Sequence, residues 1–248
     1  MNALDTTSPP LSVGGDLAND LAITALELAR RIAVGATLWC VAPAAPAHAA
    51  HLAVEFLHPV IMGKRAVPAV ALEGPATRTA LRAAARPGDV LVLLGSVREP
   101  ELHALARRAA PWGLTTLWFV TDADTDIDAD ADAVAVPVAA DHVLRAREGT
   151  DPWVDLVLAY HLLWELTHVV FEHPGLLQPS AAAASEVCVT CADEGRVAEV
   201  QQLADDEASV RCGGVTESVA TGLVDDLVAG ELVLVHAGVA IARIDEAS

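Results

Sequence analysis

The chain has 248 residues, enough for one large domain or two small ones, and a formal charge of −19 from 34 acidic and 15 basic side chains. So acidic a surface repels nucleic-acid phosphates and anionic lipid, which excludes both as expected partners. The composition is 53% hydrophobic with mean hydropathy +0.41, yet apolar runs such as "VLVLLG" fall short of the roughly 18–20 residues that span a bilayer.

Residues 1–15 read as a polar leader without the basic and apolar regions of a secretion signal, so the expectation is a soluble cytoplasmic protein whose thiols stay reduced. "DLANDLAITALELARRIAVG" has helical periodicity and reaches a candidate C-cap at Gly35. "ATLWCVA" reads as a buried strand and "PAHAAHLAVEFL" as a helix. "VPAVAL", "DVLVLLG", "LTTLWFVT" and "AVAVPV" read as further strands, with helices such as "EPELHALARRAA" between them. Alternation of this kind predicts a parallel sheet covered on both faces. "DADTDIDADADA" places Ile127 and Ala133 where a calcium loop needs Gly and Glu, so it reads as a solvated acidic loop. "DPWVDLVLAYHLLWELTHVVFE" closes the region as a long amphipathic helix.

The Pro-, Gly- and Ala-rich stretch 173–186 reads as a linker. Beyond it come "SEVCVTCADEGRV" and five short strands: "RVAEVQQL", "EASVRCGG", "VTESVA", "ELVLVHAG" and "VAIARID". Their spacing predicts a small antiparallel barrel, with one helical turn near "LVDDL". The expected division is therefore a leader at 1–15, an α/β domain at 16–172, a linker at 173–186 and a barrel at 187–248. The CxxC of Cys188 and Cys191 leaves three roles open: half of a zinc site, a redox pair or a metal-delivering thiol. Cys40 and Cys212 lie in strands and read as packing residues.

"GELVLVHAGVAIARIDEAS", "GRVAEV" and "CGGVTESVATGLVDDLVAG" resemble the HypC/HupF/HybG chaperones of [NiFe]-hydrogenase maturation, from Val187 to about Glu246. The resemblance implies an OB-like barrel that works with a HypD-like partner. Together they carry the Fe(CN)2(CO) fragment and deliver it to the hydrogenase large-subunit precursor. It places the essential thiol at Cys188, made internal here and preceded by Val187 in place of the initiator Met. His236 is the second candidate iron or partner contact, and Cys191 is an added thiol. A soft thiolate suits such an iron centre.

Residues 16–172 resemble the sugar isomerase (SIS) fold, a three-layer αβα sandwich, most closely the phosphoheptose isomerases of the GmhA type. His51 and Glu55 match that family's His-x-x-x-Glu positions and His161 its catalytic histidine. Spacing of four puts His51 and Glu55 on one helix face. The resemblance makes Glu55 and His161 proton-transfer groups, and it makes His51, Glu55 and His161 ligands of zinc; the family's glutamine ligand aligns near Trp153. Its phosphate loops read "VAPAAP" and "GSVREP" here. Ser96 and Arg98 remain as ligand-binding candidates, while Pro46 and Pro100 remove donors and Glu99 adds negative charge. The leading expectation is thus a non-enzymatic maturation factor whose SIS domain dimerises or binds a ligand. The alternative is a metal-dependent phosphosugar isomerase, acting on a sedoheptulose 7-phosphate-like substrate, with a HypC-like appendage.

Overall fold

A computed structural model describes residues 15–121, 140–146, 151–177 and 195–244. The first region holds α1 (Gly15–Ala33), β1 (Leu38–Val41), α2 (Pro46–Leu57), β2 (Ala69–Leu72), α3 (Thr77–Ala84), β3 (Val90–Gly95), α4 (Pro100–Trp112), β4 (Thr115–Val120), β5 (His142–Arg145) and α5 (Pro152–Glu172). The five strands form one parallel sheet in the order β2-β1-β3-β4-β5. Strand alternation divides the core in two, because successive side chains leave opposite faces. Val90, Val92 and Leu94 pack with Leu21 and Leu28 of α1, Phe56 of α2 and Tyr160 and Trp164 of α5. Leu91 and Leu93 pack on the other face with Leu81 of α3 and Leu102, Leu105 and Trp112 of α4. This is the expected three-layer αβα sandwich.

Buried polar groups pin the layers. Asp89, 5% exposed, accepts from Thr37 N at 2.8 Å, Trp39 Nε1 at 2.9 Å and Arg86 N at 2.9 Å. One carboxylate thereby satisfies three donors at the start of β3. α5 begins where Asp151 caps the backbone of Trp153 and Val154. With a mean hydropathy of 1.3 over 18 residues it passes the length and composition test for a membrane span, but Leu156, Ala159, Tyr160, Leu163 and Trp164 are consumed by the core.

Two details differ from expectation. β5 is the edge strand "HVLR", too short and too polar at its ends to show a strand pattern; the expected strand "AVAVPV" and the acidic stretch 122–133 lie outside the described residues. The start of the expected linker also forms a single turn, α6 (Pro174–Leu177), tied to α1 by Arg30 Nε donating to Leu176 O at 3.1 Å.

The second region is a closed barrel of β6 (Arg196–Ala204), β7 (Glu207–Cys212), β8 (Val215–Ala220), β9 (Leu232–His236) and β10 (Val239–Ile244), in the order β10-β8-β7-β6-β9. Its pairings are antiparallel except for one parallel pair, Val239 with Ala220, that closes the ring. Ala198, Val200, Val210, Val219, Val233 and Val235 fill it. The expected helical turn at "LVDDL" is absent. Asp226 takes φ of +54°, which ends right-handed helix, and Val224 N instead closes a turn onto Thr221 O at 2.9 Å. Leu227 and Val224 pack inward from this loop.

The domains touch through the C-terminal end of α4. Trp112 Nε1 donates to Glu199 Oε2 of β6 at 2.7 Å, and Arg108 Nη2 to Gly230 O at 3.0 Å. The Pro111 carbonyl, an end group that α4 cannot satisfy itself, accepts from Gly214 N at 2.8 Å. Gly113 caps α4 at φ of +76°, and a Cβ there would lie 2.9 Å from Gly213 O. Glycine is required at that point both for its conformation and for the close approach of the barrel.

Candidate functional sites in the two domains

α2 starts with Pro46 at its first turn and buries Ala49, Leu52, Ala53 and Phe56 against the sheet. That choice of face leaves His51 and Glu55 on its flank, towards α5. Tyr160 and His161 on α5 meet them there. His51 Nε2 lies 3.3 Å from Glu55 Oε1, and His161 Nε2 lies 3.6 Å from the same oxygen. Ligand atoms of all three lie within 4.8 Å of one another.

The outer nitrogens have partners too. His161 Nδ1 donates to Val157 O at 2.6 Å, so its Nε2 lone pair in the neutral ring faces Glu55. His51 Nδ1 is bonded to the Tyr160 hydroxyl at 2.8 Å. Burial, and then the Glu55 charge, push the Tyr160 hydroxyl up to about 12, so it remains an O–H at neutral pH. His48 stacks on Trp153 with ring centroids 4.6 Å apart. Burial lowers its pKa below 6.5, His51 lowers it further, and Asp151 opposes the shift.

His51, Glu55 and His161 could hold a metal ion, and their chemistry suits zinc. Tetrahedral zinc with bonds of about 2.0–2.1 Å holds its ligand atoms about 3.3–3.4 Å apart; the two separations to Glu55 Oε1, 3.3 and 3.6 Å, lie near that span. Two imidazoles and a carboxylate, each imidazole held by a hydrogen bond at its second nitrogen, make a donor set with room for a further ligand. His51 and His161 keep about two-fifths of their side-chain surface exposed, so the site opens to solvent.

The loop after β3 is arranged differently. Ser96 N donates to Glu99 Oε1 at 3.0 Å, and Arg98 N donates to Ser96 Oγ at 2.9 Å. Glu99 thus supplies from within the chain an anion for the backbone amide of Ser96. Pro100 opens α4, His103 meets Val97 O, and the Arg98 side chain is exposed. At the loop before α2, Ala45 gives no side-chain cap. Neither loop assembles the cradle of hydroxyls and amides that an incoming phosphate needs. Trp153, which the resemblance aligns with a glutamine, packs on His48.

In the barrel, His236 ends β9 half-buried and pairs with Val239 across the two-residue turn Ala237-Gly238, whose φ values are +48° and +78°. Such a turn matches the twist of the flanking strands and fixes His236 at the hairpin's base. Cys188 and Cys191 lie outside the described residues. Cys40 and Cys212 are buried; burial raises the thiol of Cys40 to about 12 and that of Cys212 also upward. Both remain protonated packing residues, as their strand positions imply.

Comparison with known proteins separates the two regions. The sequence model of the HupF/HypC family matches residues 193–248; Cys188 and Cys191 precede that match, so it begins later than the expected barrel boundary at Val187. A hydrogenase maturation factor HypC from Azotobacter chroococcum mcd 1 is 37% identical over 49 residues, 19% of this chain and 58% of that protein's length. Among solved structures, a phosphoheptose isomerase from Francisella tularensis superposes with a TM-score of 0.46 at 16% identity, covering 62% of this chain and 90% of its own. The sugar isomerase domain of an RpiR transcription factor from Sphaerobacter thermophilus gives 0.43 at 22%, covering 65% and 89%. GmhA from Neisseria gonorrhoeae gives 0.44 at 16%, covering 61% and 86%. The barrel of this chain, over residues 193–248, is a HupF/HypC family domain.

Proposed function

We propose that the chain is a maturation factor for [NiFe]-hydrogenase, in which the barrel acts as a HypC-type chaperone. The family match of the barrel carries this reading, and the named relative supports it. In it, Cys188 binds the Fe(CN)2(CO) fragment as cargo through its thiolate, His236 supplies a second contact to iron or partner, and Cys191 is an added thiol in the same segment of sequence. A HypD-like protein shares the cargo and the large-subunit precursor receives it. The acidic surface favours a basic patch on either partner. A strain deleted for this chain should accumulate unprocessed large-subunit precursor, and the wild-type chain should restore processing where Cys188→Ala does not. Normal processing in the deleted strain would exclude the reading.

The convergence of His51, Glu55 and His161 favours a second role for the other domain. It binds zinc, which when bound would supply Lewis acidity at the open position. His51, Glu55 and His161 would hold it, and Tyr160 would orient His51. An aldose–ketose isomerase would use Glu55 and His161 to move protons between adjacent carbons. Glu99 beside the Ser96 amide argues against phosphosugar binding, so zinc binding without isomerisation is the form we favour. Incubation with sedoheptulose 7-phosphate and zinc, with His161→Ala as control, decides it: turnover lost in the variant would establish the isomerase.

A further inference from the structure

The cleft between the two domains holds four of the chain's 15 basic side chains. Its volume is about 540 Å³, within the range of roughly 300–1,000 Å³ common for small-molecule sites. Arg78 and Arg82 of α3 and Arg108 of α4 face it from one domain, and Arg243 of β10 from the other. Two carboxylates, Glu199 and Glu231, also line it, leaving a net charge of +2 in a molecule whose total is −19.

The internal carboxylates are engaged by the walls. Glu199, 2% exposed, accepts from Trp112 Nε1 at 2.7 Å and Gln201 Nε2 at 3.2 Å, with Arg82 Nη1 at 3.7 Å. Glu231 accepts from Val228 N at 2.8 Å and pairs with Arg243 Nε at 3.5 Å. The guanidinium groups are also held in place. Arg108, 4% exposed, is fixed by its bond to Gly230 O. Arg243 Nη2 donates to the carbonyls of Asp225 and Asp226, each at 2.8 Å. Arg82 reaches Gln201 Oε1 at 3.3 Å. An arginine carries five N–H donors in a rigid fork suited to phosphoryl oxygens, and anchoring it beforehand removes part of the ordering cost of binding.

We propose that this interdomain cleft binds a small molecule carrying a diphosphate group, with one phosphoryl group towards the α3–α4 wall and the other towards Arg243. The α3–α4 wall carries three arginines and no carboxylate, and the barrel wall carries Arg243 among Glu199 and Glu231; a cation on each wall suits a ligand with an anionic group at each end, and the acidity of the rest of the surface disfavours a polynucleotide. Because the walls belong to different domains, the ligand would fasten the α/β domain to the barrel. This inference is independent of the chaperone reading and of the zinc site.

The test is isothermal titration of the full chain with inorganic pyrophosphate at fixed ionic strength, with orthophosphate and citrate as comparison arms. Pyrophosphate should bind one to one and more tightly than either comparison anion. Arg78→Gln with Arg82→Gln should weaken it by about tenfold or more, the loss of one or two charge-assisted hydrogen bonds, while Arg31→Gln, on α1 and outside the cleft lining, leaves it unchanged. If the double variant fails to fold, Arg78→Gln alone, at an exposed position on α3, serves instead. No binding at millimolar pyrophosphate, undiminished binding in the variant, or citrate or orthophosphate binding as tightly would overturn the proposal.

Discussion

His161 lies more than 100 residues beyond His51 and Glu55 in sequence, yet their ligand atoms meet within 4.8 Å. In the proposed zinc site, His161→Ala or Glu55→Gln should reduce zinc affinity by about 100-fold or more, since a three-ligand site loses one inner contact. Competition with a chromophoric chelator would measure this, and a merely packed cluster would leave the affinity of the variants unchanged. His48 gives a test in pH. Its folded-state pKa lies below 6.5, so folding favours the neutral ring. The resulting stability is complete above 6.5 and is lost as pH falls through the lowered folded value, because the unfolded chain takes up the proton first. Thermal melts across that window should show a shallower acid-side decline for His48→Gln, and a proton NMR titration of the wild type should give a midpoint below 6.5. The His-x-x-x-Glu spacing made His51 and Glu55 legible in the sequence, because i and i+4 share a helix face. The carboxylate of Glu99 next to the Ser96 amide was not legible. Its negative charge could be read from "GSVREP", but the inward turn that makes it the loop's own anion depends on the tertiary path after β3.

At the scale of elements, Gly113 does two things at once, ending α4 in a left-handed conformation and letting Gly213 approach. Gly113→Ala should destabilise the protein by about 1–2 kcal/mol from conformation alone, plus the displacement of the barrel contact. Thermal denaturation should show a lower Tm, and limited proteolysis faster release of the barrel; an unchanged Tm would contradict the role. Long periodic elements were readable: "PAHAAHLAVEFL" coincides with α2, and "VLVLLG" with β3. β5 was not, since four residues at a sheet edge carry no useful period. The "LVDDL" segment misled because two leucines and a valine at helix-compatible spacing also suit a loop that packs inward. The left-handed Asp226 and the Arg243 bonds to the Asp225 and Asp226 carbonyls are long-range features that decide between the two.

Across the whole molecule, the sequence divides at a Pro- and Ala-rich stretch, which led to an expectation of two domains on a linker. The structure adds an interface that no local pattern reveals. Trp112 and Glu199, 87 residues apart, form a buried hydrogen bond, and the arginine cleft lies beside it. Composition marked the chain as acidic without showing that four arginines gather at one place. In the proposed function the barrel carries an iron fragment as cargo. Infrared spectroscopy of the full chain purified with its HypD-like partner tests it most directly. The wild-type complex should show cyanide and carbonyl stretches, and Cys188→Ala should lose them with the partner still bound. An unchanged spectrum in Cys188→Ala, or none from the wild-type complex, would contradict it.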